Sequence, residues 1–123
     1  MNHCWEDYVK KKRISIILSE NIIREIREKM LKDGYSLREK SKWVSEAIED
    51  LLKLEEYHFL VKTAELFDDF NKTETFYIAT ELDGKLKMAL IEVRKKYPSI
   101  EGVKSLIIRA SIIRRIVING ERT

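Results

Sequence analysis

Seventeen residues, Lys10 to Ile26 (KKKRISIILSENIIREI), restrict the fold of this chain more than any other stretch. Four consecutive cations, Lys10 to Arg13, run into an alternation of apolar and polar positions. Ile14, Ile16 and Leu18 fall on one side of an extended strand, and Arg13, Ser15 and Ile17 on the other, because strand side chains alternate with period two. Ser19 then offers a helix cap, and Ile22, Ile23 and Ile26 follow at helical spacing. A lone short strand cannot satisfy its polar backbone, so this one needs a partner strand. Arg13 and Ser15 on the outward side make a surface suited to an acidic ligand.

The pattern continues to residue 54. Glu20 to Lys32 is predicted as the first helix, with Ile22, Ile23, Ile26 and Met30 as its inner stripe and Gly34 as its stop. After a turn over Tyr35 to Lys40, Ser41 is expected to cap a second helix that turns Val44, Ala47, Ile48, Leu51 and Leu52 inward. The strand and cap KKRISIILSENI, the turn Asp33-Gly34 and the helix SKWVSEAIEDLL (Ser41 to Leu52) resemble, in that order, the ribbon-helix-helix DNA-binding proteins of the Arc/MetJ/CopG type. The resemblance covers residues 10–54. It implies that two such units pair their strands into one antiparallel ribbon.

A second unit is visible in the same chain. Shifted by 64 residues, Ile14 falls on Ile78, Leu18 on Leu82, Ser19 on Asp83, Ile22 on Leu86 and Ile26 on Leu90. In the second helix Ser41 falls on Ser105, Val44 on Ile108 and Ile48 on Ile112, although a shift of 63 serves Ala47 and Ala110 equally well. The second strand is expected over Thr75 to Leu82, with Thr75, Tyr77, Ala79 and Glu81 outward and Thr80 at an inward position. That strand departs from the family's pattern, since its outward face carries no base and Glu81 would repel a phosphate backbone unless it accepts from a cytosine amine. Asp83 reads as a strand-to-helix cap. Tyr97-Pro98-Ser99 should end the helix that follows, and Gly120 should lie just past the last one.

The expected fold is therefore mostly α-helical with a two-stranded antiparallel ribbon: a tandem ribbon-helix-helix pseudo-dimer with a helical linker. Its segments are a first repeat over 10–54, an acidic helical linker over 55–73 and a second repeat over 74–119. A break near Leu54 to Tyr57 is required, because one continuous helix would carry the chain about 40 Å away from its partner strand. Tyr57, Leu60, Val61, Ala64, Leu66 and Phe67 supply the linker's apolar content. The net charge is +3, but nine acidic and three basic residues lie between Glu46 and Glu74, so the remainder carries +9. Such segregation fits a protein that meets a polyanion on one side only.

The resemblance implies a role for each exposed side chain. A β-ribbon fits the DNA major groove, where Arg13 would make a bidentate contact to guanine and Ser15 would bond several bases. Ile17 would pack on a thymine methyl or, equally well, sit in an oligomer contact. Tyr77 and Ala79 would be the second strand's base-facing residues. Lys10, Lys11 and Lys12 would meet phosphates, as would the two helix starts at Ser41-Lys42 and Lys104-Ser105.

Catalysis has little support: there are two His and one Cys, and no Gly-rich phosphate loop. His3 and Cys4 lack the further ligands that a metal site needs, so neither a metal nor a cofactor is expected. With a single cysteine, no signal-peptide pattern and no run near the ~20 apolar residues of a membrane span, a cytoplasmic protein is expected, in the host cytoplasm if the source is viral. Abundant Ile, Lys and Glu with no Gln suit a thermophile or a low-GC genome equally. Tandem forms of this kind are similar to regulators encoded by viruses of hyperthermophilic archaea.

The expected function is a sequence-specific transcription regulator bound to double-stranded DNA. The rivals are an antitoxin or adaptor that binds a protein partner, and a DNA-coating architectural protein. The last helix is apolar on nearly every side from Leu106 to Ile118, which predicts burial against both the linker and a second copy of the chain. Trp5, Tyr8 and Val9 make a short apolar patch before the first strand.

Overall fold

A computed structural model of the chain describes residues 10–66 and 71–121. Strand β1 spans Lys11–Leu18 and helix α1 Glu20–Lys32; a 3-10 turn over Leu37–Glu39 leads into α2, Lys40–Leu52. Helix α3, Tyr57–Thr63, runs on into a 3-10 turn at Ala64–Leu66. Strand β2, Lys72–Ala79, is followed directly by α4, Thr80–Lys96, and then by α5, Val103–Glu121. The two strands pair within the chain as one antiparallel sheet, from Lys11 opposite Ala79 to Leu18 opposite Lys72. The expected class, mostly helical with a two-stranded antiparallel ribbon, is what the chain forms.

Strand β1 and helix α1 follow their local signals closely. Ser19 Oγ accepts from the Ile22 N–H at 3.1 Å. Helix α1 ends in a Schellman motif, with Tyr35 N–H on the Met30 carbonyl (2.7 Å) and Gly34 N–H on that of Leu31 (3.2 Å). Gly34 has φ +89°, a left-handed conformation that side-chain-bearing residues avoid. Ile14, Ile16 and Leu18 are buried while Arg13, Ser15 and Ile17 are exposed, as the alternation requires. The break expected near Leu54 to Tyr57 is present, since α2 ends at Leu52 and α3 starts at Tyr57.

Three boundaries differ from expectation. Strand β2 runs over Lys72–Ala79 rather than Thr75 to Leu82, so it begins inside the span expected for the helical linker. Leu82 is buried, but as the head of a helical stripe with Leu86, Ala89 and Val93, and burying that stripe outweighs extending the strand. Thr80 and Glu81 thus lie in the first turn of α4, Thr80 is exposed rather than inward, and Asp83 lies inside the helix rather than capping it. Ser41 does not cap α2: the helix starts at Lys40 after Ser36-Leu37-Arg38-Glu39, where the Ser36 N–H donates to Glu39 Oε1 at 2.8 Å. Helix α5 continues through Gly120.

The core lies between the inner face of the ribbon and the helices. Trp43, Ile48 and Leu51 of α2 and Ile107, Ile108 and Ile112 of α5 are wholly buried, together with Phe76 and Ile78 from β2. Helix α5 is the central element, packed against α1, α2, α3 and α4. Val61 and Ala64 of the linker are buried in that same cluster. The face of α5 left uncovered is accordingly much smaller than its composition implies, and is confined to its C-terminal half, where Val117 is 53% exposed. Phe67 and the Trp5, Tyr8, Val9 patch fall outside the described residues.

Candidate nucleic-acid interface

The outward face of the ribbon gathers the residues singled out for base contact. Its cross-strand pairs are Lys11 with Ala79, Arg13 with Tyr77, Ser15 with Thr75, and Ile17 with Thr73. Arg13 and Ser15 are exposed, and the two large apolar or aromatic members, Ile17 and Tyr77, are 44% and 49% exposed. Ala79 is half-buried at the strand end. Ser15 Oγ and Thr75 Oγ1 lie 3.1 Å apart and fix the register across the middle of the face. From Arg13 to Ile17 the strand covers roughly 13 Å. Two strands side by side are narrower than the groove of B-DNA, about 12 Å wide. Glu81, placed by sequence beside the base-reading residues, has left this face for the helix.

A bare two-stranded ribbon is marginally stable, and both of its outer edges would be open. Here each edge is held by a helix. The Tyr77 N–H donates to Ser41 Oγ of α2 at 2.9 Å, and Arg109 Nε of α5 donates to the Ile17 carbonyl at 3.0 Å. Ser41 is therefore the seat of β2, with its hydroxyl accepting from the strand. The burial that lets Arg109 reach this carbonyl also lowers its pKa.

The residues proposed for phosphate contact divide into two groups. Lys10, Lys11 and Lys12 are exposed at the start of β1, and Lys42 is exposed near the start of α2, 3.8 Å from Glu39 and over the ring of Tyr35. Lys104 and Ser105 are half-buried, and Lys104 Nζ donates to Asp83 Oδ1 at 2.7 Å. The other oxygen of Asp83 lies 3.6 Å from Lys12 and 3.5 Å from Lys87. Burial by itself would raise the pKa of Asp83. The hydrogen bond from Lys104 and the charges of Lys104, Lys12 and Lys87 more than offset this, and hold the carboxyl below its usual range. At the other helix start, Lys40 Nζ is 2.8 Å from Glu74 Oε1, on the inner face of β2.

Sequence reasoning did not find the Asp83 cluster. Its only local signal is Lys87 one helical turn on, whereas Lys12 and Lys104 arrive from distant parts of the chain. Nor did it find the link between α2 and α5. There Arg115 donates to the Trp43 carbonyl (2.6 Å), the Tyr35 hydroxyl (3.1 Å) and Glu46 Oε1 (3.3 Å), while its guanidinium lies 4.8 Å from the Trp43 ring centre. Tyr35 also donates to Glu46, and the bond to that carboxylate raises the phenol's pKa.

A concavity of about 530 Å³ is lined by residues of α2, α3, α4 and the turn after α2, with none from the ribbon. Among the described residues no group of three or more His, Cys, Asp or Glu could hold a metal, and no helix is long and apolar enough to cross a membrane. His3 and Cys4 lie outside the described residues. Comparison with protein-family models, with curated proteins and with solved structures finds no match to this chain.

Proposed function

We propose that this chain is a DNA-binding transcription regulator of the ribbon-helix-helix type, in which two β-α-α units of one chain do the work of a dimer. The observation that carries the reading is the ribbon's outward face, where Arg13, Ser15 and Tyr77 project beside a run of exposed lysines. The spacing of the elements supports it. Helices α1 and α4 start at Glu20 and Thr80, 60 residues apart, and the strands start at Lys11 and Lys72, 61 apart. A shift of 60, four less than the apolar alignment gives, superposes the first helices and brings the strands to within one residue, and in that register the Ser15–Thr75 pair stands where a two-fold axis would pass.

In this reading the ribbon enters the major groove, with Arg13 on guanine and Ser15, Ile17 and Tyr77 on neighbouring base edges. Lys10, Lys11 and Lys42 meet the backbone. Arg13→Ala is expected to weaken specific binding by ~1–3 kcal/mol, the worth of one bidentate base contact, and binding to unrelated duplex far less. Titrations on both duplexes check this, and equal losses would reduce Arg13 to a phosphate contact. Footprinting separates the rivals: a discrete protected site marks a regulator, uniform coverage a coating protein, and no protection an adaptor.

The reading includes self-association. An apolar groove of about 400 Å³ runs between α3 and the C-terminal half of α5, lined by Leu60, Ala64, Ile113 and Val117 among others. Phe59 and Leu66 are exposed on the linker. Apolar surface grouped in this way favours burial by a second copy. Light scattering at micromolar concentration is expected to give at least a dimer; a clean 14.6 kDa species would remove this element.

A further inference from the structure

The two ends of the ribbon's outward face are chemically unlike. At one end Arg13 stands opposite Tyr77, with Lys11 opposite Ala79 beyond them and Lys10 and Lys12 alongside. At the other end Ile17 stands opposite Thr73. Two cations lie near that end: Arg109, whose Nε is held by the Ile17 carbonyl at 3.0 Å, and Lys72, 3.6 Å from Glu20, which offsets its charge. Half a turn about the Ser15–Thr75 pair would bring Arg13 onto Thr73 and Tyr77 onto Ile17. No like residue is superposed except the hydroxyl pair in the middle.

We infer that the ribbon takes a non-palindromic DNA element and takes it in one orientation. The inference rests on the reading of the ribbon as a major-groove probe. The Arg13–Tyr77 end faces a guanine-bearing step. The guanidinium spans O6 and N7, the phenol supplies a further hydrogen bond, and Lys10 and Lys11 grip the flanking phosphates. The Ile17–Thr73 end faces an A·T step, where the Ile17 side chain packs on the thymine methyl and the Thr73 hydroxyl bonds a base edge. A ribbon built from two identical chains has identical ends and reads a palindrome. Here the strands differ in sequence, so the element has a head and a tail.

The test is selection of the full-length chain on randomised duplexes of about 10 base pairs, one helical turn, with one chain per duplex verified by native mass spectrometry. The expected product is a motif without two-fold symmetry, guanine-bearing at one end and T-bearing at the other. Replacing the guanine should weaken binding about fivefold to a hundredfold. Arg13→Ala should erase preference at the guanine end alone, and Ile17→Ala at the thymine end alone; both side chains are exposed, so the fold is retained. A palindromic motif, or an Arg13→Ala effect equal at both ends, would overturn the orientation while leaving the groove reading intact. No retained duplex, or retention without any motif, would overturn the groove reading and the orientation with it.

Discussion

The two helix starts that flank the ribbon are tied down by bonds of almost the same length in very different surroundings. Lys40, at the start of α2, meets Glu74 at 2.8 Å, and Lys104, at the start of α5, meets Asp83 at 2.7 Å. The side chain of Glu74 is 22% exposed and that of Asp83 is 5% exposed. Glu74 therefore keeps part of its hydration and loses little if its lysine is removed. Asp83 has given up nearly all of its water and relies on three lysines to replace it. Distance alone would rank the two pairs as equals; burial separates them.

Substitutions can widen or close that gap. The largest loss is expected from Arg115→Ala, which cuts the link between α2 and α5 and leaves the Trp43 carbonyl, Tyr35 and Glu46 without their shared donor. About 2–4 kcal/mol should disappear from the unfolding free energy in a urea titration. Asp83→Asn should cost about 1–3 kcal/mol at neutral pH, because the amide keeps a hydrogen bond to Lys104 but loses the charge.

The same variant carries a pH signature. A carboxylate whose pKa is lowered on folding contributes fully above the ordinary Asp value near 4, and that contribution fades as pH falls through the folded value. Acidifying the native protein below about pH 4 should therefore remove stability that Asp83→Asn never had, so the two curves converge there. A constant gap down to low pH would show that Asp83 stabilises by shape rather than charge. The smallest loss, under about 1 kcal/mol, belongs to Glu74→Gln at the other helix start. A Glu74→Gln loss matching that of Asp83→Asn would dissolve the contrast.

What was readable in the sequence was local. The alternation of β1, the Ser19 cap, the Gly34 stop and the stripe of α1 are each set by neighbours within a few residues, and each appears as expected. Strand β2 was misplaced because Ile78 and Leu82 are buried whether the chain between them is strand or helix, so apolar positions could not locate the switch. What locates it is pairing: β1 begins at Lys11, Lys11 faces Ala79, and the Thr80 N–H completes the ladder on the Lys10 carbonyl at 3.2 Å. Ser41 looked like a cap because a serine before an apolar run usually is one; its true partner lies 36 residues away. Arg13, Ser15, Ile17 and Tyr77 were legible as an exposed set because period-two geometry alone puts them there. The Asp83 cluster was hidden, as charge clusters drawn from distant segments generally are.

Pairing of β1 with β2 inside one polypeptide has a consequence in mass action. A ribbon shared between two chains exists only above the dissociation constant of the pair, and at low copy number most of it is absent. Here the second strand is tethered to the first, so the fraction of ribbon formed is set by folding alone and does not change on dilution. Serial dilution through the association range should leave its circular dichroism below the melting transition unmoved, and a single molecule in a cell would carry an intact ribbon.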